Sequence, residues 1–402
     1  MLYNALSSLA FSFANLFGGA QGWMAAVKKD AKRWKNLPPL KDQCIWMHCA
    51  SLGEFEMGKP VLEALRAQHP QYRIVVTFFS PSGFEPRKDY PDTEVYYLPL
   101  DTASTAKKWV AYINPAMAFF VRYDLWPNHI SALRKAQVPV AVIAMTANST
   151  PWYLSRFLPL MRSRYTRGVR CWGMISEQDA MNMSLAGVHS EVLGHPKWDY
   201  AQSLIGQPLS SRWVGLKDAQ DKPVFILGSA HEADVEFVLA LPNIHNYSVW
   251  VVPHSVDQES LAHFEKALHR KFNRVKRSSL CLDPVAVDAL LVDEFGVLRQ
   301  LYAHANKVFV GGGFGKATHN VLEATAAGKR AACGPNWKGM PENAALIEAG
   351  LLVACGNPDQ CEQFLYDDDR GWSSDALDMV NEKAGATKVI ADRLSTLLAE
   401  GV

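Results

Sequence analysis

Short apolar runs and helical patterns alternate along most of this chain. The apolar run at residues 44–49 is the first, and a segment at 54–68 follows it with apolar positions at Val61, Leu62 and Leu65. Spacings of three and four place such residues on one face of a helix, whereas short continuous apolar runs are typical of buried strands. Repeated alternation of this kind predicts a mostly parallel sheet with helices on both faces.

The alternation pauses once, and the pause predicts two domains. Predicted strands of the first half lie at 44–49, 73–79, 95–98, 116–121, 138–145 and 173–176. After the polar, turn-rich segment 201–221, strands are predicted at 224–228, 248–252, 289–292, 308–310 and 331–335. We therefore predict an α/β protein with two Rossmann-like domains facing a central cleft, at 37–203 and 204–402. Packing of the last helices on the first domain is an alternative to their packing on the second.

The beginning of the chain departs from this pattern. Residues 1–27 contain no charged side chain, and five basic residues follow closely: Lys28, Lys29, Lys32, Arg33 and Lys35. Polar residues dilute the segment too much for a spanning helix, which favours a helix lying on anionic lipid with a basic collar. We predict a membrane-associating segment at 1–36, and a helix packed on its own domain remains the alternative.

Composition narrows the possible partners. The formal net charge of +1 gives no reason to expect a nucleic-acid partner. The seven cysteines are an odd number without a C-x-x-C pair, and most lie in apolar runs. This pattern predicts a reducing compartment, no disulfides and no metal site.

Residues 308–328 carry the most suggestive local chemistry. Three apolar residues stop at Gly311, Gly312 and Gly313, and the pair His319 and Asn320 then opens a helical pattern. A strand, a Gly-rich turn and a helix start can bind an anion. Glu323, one turn into that helix, is a candidate partner for ribose hydroxyls. A purely structural turn stays open as the alternative, because a lone Gly-rich turn is weak evidence.

Glu54 is the best candidate for a general base. It follows the turn Ser51–Gly53 at the start of a predicted helix, where the macrodipole favours a carboxylate. The alternative is a helix-terminal glutamate that serves the dipole and a cap with Ser51.

Several ordered motifs together resemble one enzyme family. They are S-L-G-E (51–54), T-F-F-S-P-S-G (77–83), D-L-W-P-N (124–128), G-H-P-K-W-D (194–199), G-S-A-H-E (228–232) and G-G-G-F-G-K-A-T-H-N-V-L-E-A (311–324). In this order they resemble the 3-deoxy-D-manno-octulosonic acid (Kdo) transferases of lipopolysaccharide synthesis. The resemblance implies a GT-B fold and transfer of Kdo, with inversion, from CMP-Kdo to a lipid A precursor. It further implies action at the cytoplasmic face of the inner membrane without a metal or other cofactor.

The resemblance also implies roles for particular residues. Glu54 would be the base that activates the acceptor hydroxyl. The donor site would be formed by Ser229, His231, Glu232, Pro253, His254, Gly312, Gly313, Lys316, His319, Asn320 and Glu323. The acceptor side would be formed by Ser51, Gly53, Ser82, Arg122, Asp124 and Lys197.

Three segments depart from the family pattern. Arg122 stands where many members carry a glutamate, P-H-S stands where R-H-P is common, and the Gly-rich segment lacks a usual proline. The Arg-rich run at 151–167 could rest on lipid headgroups, receive an anionic acceptor or be a solvated helix. Another GT-B glycosyltransferase, a sugar-nucleotide epimerase and a non-catalytic membrane-docking protein are the alternative functions.

Overall fold

The chain folds into two compact units. The computed structural model describes residues 19–147, 154, 159–281, 283–367 and 371–400. The first unit runs up to Tyr200 and includes the C-terminal segment that starts at Ala384, and the second unit is Ala201–Lys383. The division falls within the region where the strand-helix alternation pauses in the sequence.

A seven-stranded parallel sheet organises the first unit. Its strands are β1 (Cys44–Cys49), β2 (Arg73–Phe78), β3 (Glu94–Tyr97), β4 (Pro115–Val121), β5 (Val140–Met145), β6 (Cys171–Met174) and β7 (Glu191–Val192). Their order is β3-β2-β1-β4-β5-β6-β7, and all pairs are parallel. Every residue of β1, β4 and β5 is buried, which is why these strands read as continuous apolar runs.

Helices cover both faces of this sheet. They are α1 (Gly19–Asp30), α2 (Leu52–Gln68), α3 (Pro81–Arg87), α4 (Ala103–Ile113), α5 (Pro127–Lys135), α6 (Pro159–Gly168), α7 (Glu177–Leu185) and α8 (Lys197–Leu204). Trp46, Trp109 and Phe120 belong to the core on one face, and Phe55, Val61 and Phe119 belong to the core on the other.

The second unit repeats the architecture. Its strands are β8 (Val224–Ala230), β9 (Ser248–Pro253), β10 (Val275–Arg277), β11 (Ala289–Leu291), β12 (Lys307–Val310), β13 (Ala331–Cys333) and β14 (Leu352–Ala354). Their order is β10-β11-β9-β8-β12-β13-β14, again parallel throughout. The next helices are α9 (Ser211–Asp218), α10 (Glu232–Ala240), α11 (Gln258–His269), α12 (Leu298–His304), α13 (Leu322–Ala326), α14 (Pro341–Glu348), α15 (Pro358–Tyr366) and α16 (Trp372–Lys383).

The predicted α/β class with two parallel-sheet domains is confirmed. Each predicted strand exists, with ends shifted by a few residues, and the three short strands β7, β10 and β14 were not predicted. One prediction is wrong: the helix after the Gly-rich turn begins at Leu322 and not at His319, and it has only five residues.

The last helix, α17 (Ala386–Ala399), completes the first unit. Its buried face includes Ile390, Leu394 and Leu397, which join the core that contains α2. Two polar contacts fix its position: Arg393 pairs with Glu191 of β7 at 2.8 Å, and Asp199 accepts the backbone N–H of Thr387 at 3.1 Å.

The N-terminal segment is described from Gly19 onward, so the first half of the predicted membrane segment 1–36 lies outside the described residues. At the end of α1, the Asp30 carboxylate accepts the Tyr97 backbone N–H at 2.8 Å. Trp34 is buried against Trp109, with ring centroids 5.1 Å apart. Within the described part of the chain, no helix is long and apolar enough to cross a bilayer. All seven cysteines are buried and free.

Candidate active site

A chain of hydrogen bonds reaches the carboxyl edge of the first sheet from inside the core. The indole N–H of Trp46 donates to Thr77 Oγ1 at 2.8 Å. Thr77 Oγ1 lies 2.9 Å from His48 Nδ1, and His48 Nε2 lies 2.9 Å from Asp124 Oδ2. If the Thr77 hydroxyl donates to Nδ1, then Nε2 carries the proton and donates to Asp124, so that every donor has an acceptor. Since His48 is buried and Asp124 is one-quarter exposed, the chain ends at the protein surface.

Glu54 lies at the same edge, in the first turn of α2. Its Oε2 accepts the backbone N–H of Ala50, which tethers the carboxylate over the end of β1. Burial raises the pKa of Glu54, the Ala50 hydrogen bond lowers it, the charge of Asp124 raises it, and His48 and Arg122 lower it. The net direction is upward. A carboxylate with a raised pKa is a stronger proton acceptor while it stays ionised, which suits a general base.

Arg122 and Asp124 follow β4 directly and share this site. Arg122 has a φ of 64°, in the left-handed region that residues other than glycine seldom adopt. Its backbone N–H donates to Ile143 O of the neighbouring strand at 2.8 Å. Arg122 and Asp124 both lie near enough to Glu54 for their charges to shift its pKa. The sequence-predicted Glu54, Arg122 and Asp124 therefore converge in the structure.

Among the described residues, the other predicted acceptor-side residues form no hydrogen bond with Glu54, Arg122 or Asp124. Ser51 precedes α2, but its side chain makes no capping hydrogen bond, so the cap with Glu54 expected as an alternative is absent. Gly53 is exposed, and a Cβ there would meet nothing within 4 Å. Ser82 shares a 2.7 Å hydrogen bond with Ser80, and Lys197 is buried at the first residue of α8.

Three histidines converge in the second unit, where β8, β9 and the Gly-rich turn end. His231 Nε2 and His319 Nε2 are 2.9 Å apart. The ring of His254 is centred 4.7 Å from that of His231 and 4.4 Å from that of His319. Burial and the two neighbouring rings lower the pKa of His319 to about 4, and burial together with His231 lowers the pKa of His254. The rings of His254 and His319 are therefore uncharged at neutral pH.

This histidine cluster is also the one group among the described residues with the spacing of a metal site. Its candidate ligand nitrogens all lie within 4.8 Å of one another. Three imidazole rings can hold a first-row transition metal, and ring N–H groups can also hydrogen-bond to a phosphate.

Contacts within the protein determine the conformation of the Gly-rich turn. Gly312 has a φ of 90°, and its N–H donates to the carboxylate of Asp234 at 2.8 Å. A Cβ on Gly313 would lie 2.6 Å from the backbone of Gly334, so this position requires glycine. The helix start predicted at His319 is wrong, and the five-residue helix that begins at Leu322 has little dipole to offer an anion.

The remaining predicted donor residues surround the cluster. Asn320 donates to the Glu323 carboxylate at 3.1 Å, and the backbone N–H of His254, which follows Pro253, donates to Ala230 O at 2.9 Å. Glu232 is exposed, and so is Lys316 in the Gly-rich turn. Ser229 has a φ of 52° at a register shift in β8. An open depression beside the cluster is lined by His231, Glu232, His254, Ser255 and Phe264 among others.

Four residues in the hydrogen-bond networks of the two sites were not predicted from the sequence. Trp46, His48 and Thr77 lie within strands, and the available signal was that His48 and Thr77 are polar residues in apolar runs. Asp234 is buried at 1% exposure and accepts the N–H groups of both His231 and Gly312. Its partner at Gly312 is distant in sequence, so no local pattern could identify the contact.

Comparison with known proteins identifies the same family that the sequence motifs resemble. A family model for 3-deoxy-D-manno-octulosonic acid transferases (kdotransferases) matches residues 16–200. The transferase of Chlamydophila psittaci is 30% identical over 326 residues, which cover 77% of this chain and 73% of that protein. The transferase of Haemophilus influenzae is 27% identical, covering 71% and 69%.

Structural similarity extends over both units. A UDP-GlcNAc 2-epimerase from Neisseria meningitidis, solved with UDP-GlcNAc, has a TM-score of 0.59 at 12% identity, covering 89% of this chain and all of the other. At that identity the likeness establishes the GT-B fold alone. The sequence relationship goes further: the chain belongs to the family of 3-deoxy-D-manno-octulosonic acid transferases, glycosyltransferases that transfer Kdo in lipopolysaccharide core synthesis.

Proposed function

We propose that this enzyme moves Kdo from CMP-Kdo to a hydroxyl of a phosphorylated lipid A precursor, with inversion at the anomeric carbon and Glu54 as the base. The observation that carries the proposal is the placement of Glu54. A tethered carboxylate of raised pKa lies at the carboxyl edge of a parallel sheet, where α/β proteins bind their ligands.

In the proposed reaction, the acceptor hydroxyl attacks the anomeric carbon of Kdo while Glu54 accepts its proton. The new C–O bond forms as the bond to the phosphate oxygen breaks, and CMP leaves with that electron pair. Attack from the side opposite CMP inverts the configuration. The transfer exchanges one C–O bond for another, so its balance calls for no redox cofactor and CMP-Kdo enters as a substrate.

The second unit supplies the groups that we propose for the donor. His231, His254 and His319 offer ring N–H groups to the phosphate, and Lys316 adds a positive charge from the exposed part of the turn. Hydrogen bonds and charge directed at a departing phosphate stabilise the transition state. The pair Asn320 and Glu323 is proposed for the ribose hydroxyls.

The test is transfer by the purified chain from CMP-Kdo to tetra-acylated lipid A precursor, followed by mass analysis and by NMR of the anomeric configuration. Glu54→Gln is expected to lower kcat by about 10²- to 10⁴-fold and to leave CMP binding intact, because it removes proton acceptance and little shape. Glu63→Gln, on the same helix and paired with Arg66 at 3.3 Å, is the matched control. Wild-type rates in Glu54→Gln would refute the base assignment.

A further inference from the structure

Arg122 occupies a backbone conformation that suits glycine far better than arginine. Its φ of 64° is fixed by the hydrogen bond from its N–H to Ile143 O. A residue that keeps a side chain under such strain at an active site points to a role for that side chain.

The guanidinium of Arg122 has unused hydrogen-bonding capacity. Its Nε is buried and has no hydrogen-bond partner, and among the described residues no carboxylate forms an ion pair with it. Its Cζ lies 5.4 Å from the centre of the Tyr123 ring, a contact that uses none of its N–H donors. A half-buried cation whose Nε is buried without a partner is costly unless a ligand completes it.

One oxygen of each neighbouring carboxylate is hydrogen-bonded elsewhere. Asp124 Oδ2 receives His48 Nε2 at 2.9 Å, and Glu54 Oε2 receives the backbone N–H of Ala50. Arg122 is near enough to lower the pKa of Glu54, so its fork lies in the neighbourhood of the base without being bound to it. An anion that contacted Arg122 would therefore lie close to the base and to the hydroxyl that it activates.

We propose that Arg122 binds a phosphate of the lipid acceptor and thereby sets the position of its reacting hydroxyl beside Glu54. The planar guanidinium fork matches two phosphate oxygens, which gives orientation as well as charge. This inference rests on the proposed function, because it assumes that Glu54 is the base and that the acceptor is phosphorylated.

The experiment compares the intact acceptor with the same lipid after its phosphates are removed by phosphatase. With intact acceptor, Arg122→Gln is expected to raise the acceptor KM by about 10- to 100-fold, to change kcat little and to leave the KM for CMP-Kdo unchanged. With dephosphorylated acceptor, the wild-type enzyme is expected to show the same increase, and Arg122→Gln no further one. Arg122→Lys should recover part of the loss, because it keeps the charge without the fork.

Two further variants keep the test independent of folding. Arg122→Gly removes the side chain and relieves the left-handed strain, so its unfolding midpoint should equal or exceed that of the wild type while acceptor binding is lost. Arg134→Gln, an exposed arginine at the end of α5, is the control with unchanged kinetics.

Three results would separate the hypotheses. An equal loss with both acceptors would overturn the phosphate assignment, and so would a rise in the KM for CMP-Kdo in place of the acceptor KM, which would assign the anion to the donor. If wild-type enzyme transferred no Kdo to either acceptor, the proposed function itself would fail.

Discussion

The raised pKa of Glu54 has a consequence for stability that can be separated from catalysis. Burial makes the pKa of this carboxyl higher in the folded protein than in the unfolded chain. The folded state therefore loses stability as the pH rises from the pKa of the unfolded glutamate to the higher pKa of the folded protein. Over this interval the folded protein must ionise a group that it holds more favourably in the protonated form.

We predict that Glu54→Gln raises the unfolding temperature at pH 7 to 8. Glutamine keeps the oxygen that accepts the Ala50 N–H and removes the buried charge. The gain should shrink with falling pH and vanish below about pH 4.3, where the unfolded glutamate is itself protonated. Thermal unfolding of both proteins across pH 4 to 8 measures the difference, and a gain that did not depend on pH would contradict the assignment.

Asp124 is predicted to tune the base through its charge. Asp124→Asn removes a negative charge that raises the pKa of Glu54, so the acidic limb of the kcat/KM profile should move to lower pH. The expected shift requires that Glu54 is the group titrating in that limb. A pH–rate series from pH 4 to 8 measures it.

The matched control for Asp124→Asn is Asp392→Asn, because Asp392 lies on the surface of α17 and pairs there with Lys388. Its pH profile should match that of the wild type. A shift to higher pH in Asp124→Asn would contradict the electrostatic argument.

Residue-scale prediction from the sequence succeeded where chemistry coincides with a turn. Glu54, Arg122 and Asp124 follow strands, and the rule that ligands bind at the carboxyl ends of strands made them candidates. His48 was missed because it lies inside a buried strand, where a polar residue is most often a satisfied core group. Its partner Thr77 lies in β2 and its partner Asp124 lies in the loop after β4, and that proximity is a property of the sheet order.

At the scale of elements, apolar periodicity predicted most strands and helices, and loops were harder. The Gly-rich turn was expected to lead directly into a helix at His319, but His319 N–H donates to Gly311 O at 3.0 Å and Thr318 N–H donates to Asn336 O at 2.9 Å. These non-local bonds keep the segment in a loop until Leu322. Short edge strands such as β10 carry too few residues to show a pattern.

We predict that the packing of helix α17 stabilises the first unit. Leu394 is fully buried in the core of the first unit, whereas Val389 on the same helix is 50% exposed. Leu394→Asp is expected to destabilise the protein by about 3–5 kcal/mol, since it leaves an unpaired charge in an apolar core. Val389→Asp should stay within about 0.5 kcal/mol of the wild type.

Denaturant unfolding of both variants, followed by Trp fluorescence, measures the difference. Proteolysis of the Leu394→Asp variant should first cut residues before 200, because the lost packing belongs to the first unit. Early cleavage confined to residues 201–383 would contradict this placement of the helix.

At the scale of the whole molecule, the first unit combines the proposed base with the basic collar. Lys28, Lys29, Lys32 and Lys35 are exposed, and Asp30 between them is tied to the backbone of Tyr97 in β3. The lysines are therefore held on the unit that contains Glu54. Such an arrangement would favour transfer to a lipid acceptor, because charge attraction to an anionic membrane would bring the unit that contains the proposed base to the lipid.

We predict that replacing these four lysines by serine weakens binding to vesicles containing anionic lipid by a factor on the order of 10² to 10³, from about 1 kcal/mol for each charge. Deleting residues 1–27 should release the protein as well, because it removes the uncharged segment that precedes the collar. The control replaces four exposed lysines elsewhere in the first unit: Lys41, Lys107, Lys108 and Lys135. Cosedimentation at low and high salt separates the two contributions to vesicle binding. Added salt should weaken the charge attraction of the lysines and leave the apolar contribution of residues 1–27 unchanged. If the collar variant pelleted as well as the wild type at low salt, the basic collar would not be the surface that binds the vesicles.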